Sequence, residues 1–287
     1  SRIHTGVTTD VIANCGIGVA PIREEKKQEL IDYLGTRIIG TIPTKLELHW
    51  NTMQEYFDYL TENSPAVNVV AYVAQGPVRI NEMGFSKEPA TLEQLKNMKL
   101  EVRKAMEAGC VALSSGLVYL PGAYTKKEEM AELCKELIPY NGYYISHIRD
   151  EGDEEMEALD EAIHIAKTAG VPLHISHLKV MGHKNFGTID EVFKKLDEAE
   201  ADGLEVTFDC YPYTAGMTSL GALLPPWAFE GGVENMVKRL EVQENRDRII
   251  KELEEGIPGW QCFYQLAGGW NGVVLASVMT EANKYVE

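Results

Sequence analysis

Two short segments of this 287-residue chain carry the same arrangement of a histidine and a cation. Residues 145–149 read Ile-Ser-His-Ile-Arg, and residues 175–179 read Ile-Ser-His-Leu-Lys. His147 and His177 each close a short apolar run and precede a loop rich in charge and glycine. Two histidines at the ends of neighbouring strands can converge to metal-ligand distance, so the repeat predicts two ligands of one metal. A histidine at a strand end can also be a hydrogen-bonded structural residue.

A third candidate ligand is Cys15, which closes the first apolar run in the segment Ala-Asn-Cys-Gly. A thiolate and two imidazoles form a good zinc set with one coordination position left open for water. Taken by itself, a single cysteine is more often a small buried apolar side chain. Strand alternation places His177 on the face of Leu173 and Ile175, and it directs His174 to the opposite face, packed under a helix.

Charged and phenolic groups surround the same predicted strand ends. Arg149 and Lys179 place positive charge beside the proposed metal, which suits a substrate that carries a carboxylate. Arg149 can alternatively form an ion pair with Asp150 or Glu151. Asp209 can serve the site or cap a neighbouring loop. The polar residues in the loops after the third and sixth apolar runs are Tyr119, Asp209, Tyr211 and Tyr213.

Strand-like and helix-like segments alternate along the chain. Six short runs are rich in β-branched or aromatic residues and are bounded by Gly, Pro or Asn: 6–16, 66–76, 109–117, 142–148, 171–178 and 204–213. Helix-like stretches with apolar residues three or four positions apart lie between them at 91–109, 125–142, 154–170 and 188–203. This alternation predicts βαβ units and a parallel sheet.

Six successive units predict the α/β fold class, as an incomplete (β/α)8 TIM-type barrel of about six strands. A doubly wound sheet is the alternative, but no G-x-G-x-x-G follows the first strand. Residues 224–256 read as a turn and charged amphipathic helices, and 272–278 read as one more short strand. We therefore divide the chain into a barrel over 1–223 and, over 224–287, a helical insertion with the approach to the last barrel unit.

Composition and charge argue against several kinds of partner. The formal net charge is −17, with 45% hydrophobic and 25% charged residues. Nucleic acid and anionic membrane surfaces both reward a basic face, so we expect neither as a partner. No apolar run reaches about eighteen residues, and the N-terminal stretch lacks the pattern of a signal peptide. Five scattered cysteines favour a reducing compartment, and we expect a cytoplasmic protein.

Several segments together resemble the N-acyl-D-amino-acid deacylases (D-aminoacylases) of the amidohydrolase superfamily. These segments are GVTTDVIANCGIGVAPI, GLVYLPGAYT, SHIRDEGDE, ISHLKVMGHKNFG, FDCYPYTAG and PPWAFEGG. The resemblance implies a (β/α)8 barrel that holds zinc in a site with a cysteine ligand. Matched by motif, that cysteine is Cys15, and the two strand-end histidines are His147 and His177.

The same resemblance implies which residues face the substrate. It places substrate contacts at Tyr119 after the third strand, at Lys179 after the second histidine and at Tyr211 in the Tyr-Pro-Tyr segment. Met217 stands six positions after Tyr211, where a small hydroxyl residue is common in the family. We expect this difference to change which acyl or side-chain group fits.

The sequence departs from the family pattern at both ends. Members carry a His-x-His on the first barrel strand and a catalytic Asp on the last, but this chain has no His-x-His. The general-base Asp is expected beyond Glu287. The small β-sandwich that flanks the barrel in relatives is missing too. We therefore expect an internal piece of a longer protein, without the first and last strands and nearly inactive by itself.

The resemblance implies zinc-dependent hydrolysis of an N-acyl-D-amino acid, a small-molecule substrate, to a D-amino acid and a carboxylate. One alternative is a cyclic-amide hydrolase of the hydantoinase type, which uses a carboxylated lysine that bridges two metals. Another is a non-catalytic metal-binding barrel that kept the fold. In the zinc reading, Cys15 Sγ and the imidazole nitrogens of His147 and His177 lie within roughly 3–5 Å of one another.

Overall fold

The computed structural model describes residues 2–35, 46–230 and 233–276. The strands in this part of the chain are β1 Thr9–Ile12, β2 Asn68–Ala71, β3 Val73–Ala74, β4 Ala112–Gly116, β5 Tyr143–His147, β6 Leu173–Ile175 and β7 Val206–Phe208. The α-helices are α1 Lys27–Gly35, α2 Met53–Asn63, α3 Gln75–Met83, α4 Leu92–Glu107, α5 Lys127–Cys134, α6 Glu155–Ala169, α7 Ile189–Ala201, α8 Val233–Glu241, α9 Gln243–Glu255 and α10 Phe263–Leu266. No helix in this part is long and apolar enough to cross a membrane.

All strand pairs are parallel, and the strands follow one another in chain order. β1 pairs with β2, and β3 to β7 form a five-stranded sheet in the order β3-β4-β5-β6-β7. A single residue, Tyr72, separates β2 from β3, and its amide donates to the Ile12 carbonyl at 3.1 Å. The predicted α/β class and parallel sheet are therefore confirmed, with the second predicted strand divided into β2 and β3.

The four helices expected between the strands are present as α4, α5, α6 and α7, and α5 continues as a 3-10 helix over Lys135–Tyr140. Thr91 begins α4 with a capping box, because its hydroxyl accepts from the Gln94 amide and the Gln94 side chain accepts from the Thr91 amide. α6 ends at Gly170, whose left-handed φ of 75° closes the last turn. Helices α1, α2 and α3 were not predicted.

The two faces of the sheet differ in what covers them. Leu113, Tyr144, Leu173 and Ile175 face the helices and belong to the large core, together with alanines and leucines of α4, α5 and α6. The opposite face carries a small cluster of Tyr72, Ala112 and Ile145, with Ala13 and Tyr143 packed against it. Strand alternation thus separates a helix-covered face from a face that holds few apolar residues.

The segment after residue 223 has a hydrophobic cluster of its own, formed by Ala228, Ile249, Leu253 and Cys262. Helices α8 and α9 occupy the region where charged amphipathic helices were predicted. The strand predicted at 272–278 is not present over 272–276, where Val274 is 84% exposed, and 277–278 lie outside the described residues. Among the described residues nothing buries Val274, so this stretch gains little from pairing as a strand.

Candidate metal centre

Cys15 lies in a tight turn after β1 that is pressed against the end of β4. Its backbone is left-handed, with a φ of 56°. The Ser114 hydroxyl accepts from the Gly16 amide at 3.2 Å and donates to the Ala13 carbonyl. A side chain at Gly116 would place its Cβ only 2.2 Å from the Cys15 carbonyl oxygen. The turn that carries the thiol therefore requires a hydroxyl and a glycine on the neighbouring strand.

The two histidines of the repeated motif converge on this turn. His147 is the last residue of β5 and is buried, and His177 lies two residues after the end of β6. Their ring centroids are 4.4 Å apart with the planes nearly perpendicular, and His177 Nε2 is 3.4 Å from Cys15 Sγ. One ligand atom from each of these three residues, which we call the metal group, lies within 4.8 Å of the others. The expected 3–5 Å separation is confirmed.

This donor set fits a zinc ion. Tetrahedral coordination with bonds of about 2.0–2.3 Å places ligand atoms roughly 3.3–3.8 Å apart. The 3.4 Å between Cys15 and His177 already matches that spacing, and the rest of the group needs only a small contraction. One sulfur and two imidazole nitrogens leave a fourth position open. Within the described parts of the chain, no other group of three such side chains is close enough to hold an ion.

Strand alternation correctly placed His174 on the face opposite Leu173 and Ile175, but the helix cover predicted for His174 and the face predicted for His177 were wrong. His174 does not lie under a helix: it is on the open face, with Nδ1 2.7 Å from the Thr207 hydroxyl and Nε2 2.9 Å from Asp209. Leu173 and Ile175 are the residues that face the helices. His177 reaches the metal group because its backbone is left-handed, with a φ of 40°, which interrupts the strand alternation. Asp209 holds this turn by accepting the His177 amide at 2.7 Å.

Glu151 is part of the site although sequence reasoning treated it only as an ion-pair partner of Arg149. Its Oε1 accepts from Lys179 Nζ at 2.6 Å and lies 2.9 Å from His177 Nδ1, and its Oε2 is 3.6 Å from His147 Nε2. Burial by itself would raise the pKa of Glu151, but the electrostatic interaction with His147, the hydrogen bond from His177 and the charge of Lys179 lower it to about 2. The sequence feature that could have indicated this role of Glu151 is its position, a carboxylate four residues after His147.

The protonation of Cys15 follows from its surroundings. Burial raises the pKa of the thiol to about 12, and the charge of Glu151 acts in the same direction, while Lys179 opposes it. The thiol therefore keeps its proton at neutral pH in the metal-free protein. A metal ion that binds here must displace that proton.

Sequence comparison finds related proteins along most of the chain. The chain is 35% identical to the D-aminoacylase of Alcaligenes xylosoxydans xylosoxydans over 219 residues, which are 76% of this chain and 43% of that protein. It is 30% identical over 220 residues to the N-acyl-D-aspartate deacylase of the same organism, with 76% of this chain and 42% of that protein covered. No protein-family model matches. Over about three quarters of its length, this chain is homologous to the N-acyl-D-amino-acid deacylases.

Solved structures agree with this assignment. A crystal structure of D-aminoacylase that defines a novel subset of amidohydrolases matches with a TM-score of 0.66 at 32% identity, over 76% of this chain and 44% of that one. The N-acyl-D-glutamate deacylase of Bordetella bronchiseptica, in complex with zinc and a phosphonate inhibitor, matches with a TM-score of 0.64 at 29% identity, over 74% and 43%. The chain thus spans less than half the length of these relatives. The relatives are deacylases, so the hydantoinase alternative gains no support.

Three residues that the deacylase resemblance assigned to the substrate lie beside the metal group. The Tyr119 ring centroid is 4.9 Å from that of His147, and its hydroxyl is 3.4 Å from the Thr218 hydroxyl. Lys179 Nζ lies 5.4 Å from the centre of the Tyr211 ring. The small hydroxyl residue that the resemblance expects at position 217 is replaced by Met217, whose side chain is exposed. The next residue, Thr218, instead supplies a hydroxyl beside Tyr119.

Arg149 does not fit its predicted substrate contact. Its guanidinium donates to both carboxylate oxygens of Glu161, at 2.8 and 3.0 Å, and to the carbonyls of Leu117, Ala123 and Thr125. These five contacts use every N–H that a guanidinium offers. The ion pair of Arg149 is therefore with Glu161 of α6, and the alternative prediction of a pair with Asp150 or Glu151 was also wrong. Arg149 ties the loop after β4 to α6.

Proposed function

We propose that this protein hydrolyses the amide bond of N-acyl-D-amino acids with zinc held by Cys15, His147 and His177. The observation that carries the proposal is the cluster of three ligand atoms within 4.8 Å in a chain homologous to the deacylases. The Bordetella bronchiseptica relative was solved in complex with zinc, and a solved D-aminoacylase has a binuclear metal centre. The relatives act on derivatives of D-amino acids, which supports a preference for the D enantiomer.

The chain's own side chains provide binding and orientation around the metal position. Zinc bound there supplies a Lewis acid for the amide carbonyl. Lys179 donates one of its three N–H groups to Glu151, and we assign another to the substrate carboxylate. Tyr119 and Tyr211 form two walls of the space in front of the metal group. A small N-acyl amino acid fits a site with one cation and two aromatic walls.

We also propose that the sheet is a six-strand portion of a (β/α)8 barrel, with residues 1–223 as the barrel part and 224–287 as an insertion and the approach to the last unit. Parallel strands that follow chain order support the barrel, and the separate hydrophobic cluster supports the insertion. The five free cysteines fit a protein of the reducing cytoplasm.

The test uses the protein expressed from its complete reading frame, with zinc content and hydrolysis measured together. We expect one zinc ion lost in Cys15→Ser and kept in Cys210→Ser, because Cys210 is exposed and outside the metal group. We expect N-acetyl-D-amino acids to be cleaved and their L enantiomers and hydantoin to be spared. Zinc that stays in Cys15→Ser would overturn the ligand set. Zinc-loaded protein without turnover would instead support the non-catalytic metal-binding barrel.

A further inference from the structure

Three polar atoms behind the metal group form a close triangle. Glu151 Oε1 lies 2.9 Å from His177 Nδ1 and 2.6 Å from Lys179 Nζ, and Nζ lies 2.9 Å from the same Nδ1. The opposite nitrogen of the ring, His177 Nε2, is the one that faces Cys15 Sγ at 3.4 Å. The contacts of Nδ1 therefore act on the nitrogen that would bind the metal.

The triangle allows two arrangements of protons, and they have opposite consequences. A neutral imidazole carries one N–H, and its other nitrogen has a lone pair. If Nδ1 donates to Glu151, the lone pair is on Nε2 and points toward Cys15 and the metal position. If Lys179 donates to Nδ1, the proton is on Nε2, and His177 cannot bind a metal ion. Nδ1 cannot do both at once.

We propose that Glu151 is a positioning residue that selects the metal-binding tautomer of His177. One carboxylate oxygen lies 2.9 Å from Nδ1 and accepts from Lys179 at 2.6 Å, so an N–H on Nδ1 and the ammonium can both be directed to the same anion and neither to the other. A carboxylate behind a metal-binding histidine orients the ring and increases its basicity. The inference rests on the proposed zinc site and deepens it.

The position of Glu151 is fixed by its surroundings. Its side chain is almost fully buried, and its backbone carbonyl accepts the Met181 amide at 2.6 Å. The loop after β5 is thereby attached to the loop that carries Lys179. Because the carboxylate is buried and cannot turn to solvent, a water molecule cannot take its place and accept from His177 and Lys179 when its charge is removed.

Glu155, one turn further along the chain, offers a matched control. It is also buried, and its Oε1 has no hydrogen-bond partner among the described residues. Burial and the charge of Glu151 raise the pKa of Glu155 to about 8, so at neutral pH it holds a proton. Glu155→Gln therefore replaces a neutral acid by a neutral amide, whereas Glu151→Gln removes a charge.

The tautomer is measured directly in the metal-free protein, expressed from its complete reading frame. Side-chain ¹⁵N chemical shifts of labelled histidine, with His177 assigned by its loss in His177→Asn, distinguish the two tautomers. We expect the Nδ1–H form to predominate in wild type and in Glu155→Gln, and the Nε2–H form to gain population in Glu151→Gln. An unchanged His177 tautomer in Glu151→Gln would overturn the proposal.

Zinc affinity, measured by competition with a chromophoric chelator, is the second readout. We expect Glu151→Gln to weaken zinc binding about 10–100-fold. The double variant Glu151→Gln with Lys179→Met should recover part of this loss, because no ammonium is left to donate to Nδ1. Equal losses in Glu151→Gln and Glu155→Gln, or no recovery in the double variant, would contradict the proposed selection. If wild type binds no zinc, the proposed function fails, and the tautomer measurement still decides the role of Glu151.

Discussion

At the scale of single residues, the metal group of Cys15, His147 and His177 depends on where protons reside. In the proposed zinc site, Cys15 is the ligand whose protonation changes most, since burial raises the pKa of its thiol to about 12. Zinc binds the thiolate, so each binding event releases one proton from this residue. His147 and His177 must both be neutral to bind. In the proposed site, the negative charge of Glu151 would balance that of the cation.

Zinc affinity should therefore rise with pH. Below its pKa of about 12 the thiol is protonated, and release of one proton predicts a fall of the apparent Kd by about tenfold per pH unit between about pH 7 and 9. Chelator competition at several pH values measures this slope, and calorimetry in buffers of different ionisation enthalpy counts the released proton. The Cys210→Ser variant, whose thiol is exposed and outside the metal group, should keep the wild-type slope. A Kd independent of pH would show that the thiol is not a ligand.

At the scale of elements, the carboxyl ends of successive parallel strands bring distant residues together. The turn after β1 lies on the last residues of β4, and β5 and the turn after β6 supply the two histidines. Gly116 at the end of β4 makes this approach possible, because no side chain fits under the Cys15 carbonyl. The thiol position is thus determined by a glycine about a hundred residues away.

Gly116→Ala should weaken zinc binding by at least about tenfold, because the new methyl group would displace the Cys15 turn and shift the thiol from the two imidazoles. Zinc competition measures the loss, and circular dichroism checks that the fold persists. Gly216→Ala is the control, since its added Cβ meets nothing closer than 3.6 Å. Wild-type zinc affinity in Gly116→Ala would mean that the turn can move without moving the ligand.

Arg149→Met tests the structural role of the arginine. Its removal leaves Glu161 and three carbonyls without their donor, so we expect a loss of about 2–3 kcal/mol in the free energy of unfolding. Urea unfolding measures this, and zinc affinity should stay near that of wild type. Lys184→Met is the control, because its pair with Asp153 is exposed and contributes less than about 1 kcal/mol. A stable variant with a raised KM for acidic substrates would return Arg149 to the substrate site.

At the scale of the whole molecule, the parallel sheet ends in two outer edges. Within the described residues, no strand pairs with the outer side of β1 or of β7. Val11 on β1 and Phe208 on β7 are 45% and 44% exposed. Unpaired edges with exposed apolar side chains favour pairing with another chain.

The isolated 287-residue chain should therefore associate as its concentration increases. Sedimentation velocity over a range of concentrations measures the association, and Phe208→Lys should reduce it because a charge on an edge strand opposes pairing. Leu92→Lys is the control, since Leu92 is 88% exposed on a helix outside the sheet. A chain that stays monomeric at every concentration would show that these edges are protected.

The sequence by itself determined the α/β class, the parallel sheet and the convergence of Cys15, His147 and His177. Periodicity and turn residues are local properties, so they locate strands and helices without knowledge of the fold. Motifs at strand ends then share one edge of a parallel sheet. Helices α1, α2 and α3 were missed, and the broken second strand was read as continuous.

Only the tertiary structure decided the contacts that depend on loops. His177 joins the metal group through a left-handed turn that strand alternation does not foresee. Alternation gave the face of His174 correctly, but not that helices leave this face open. Arg149 pairs with Glu161 because the loop after β4 brings three carbonyls to the same guanidinium. Glu151 joins the site because two loops meet. Such contacts depend on the close approach of segments distant in sequence, and no local pattern encodes that approach.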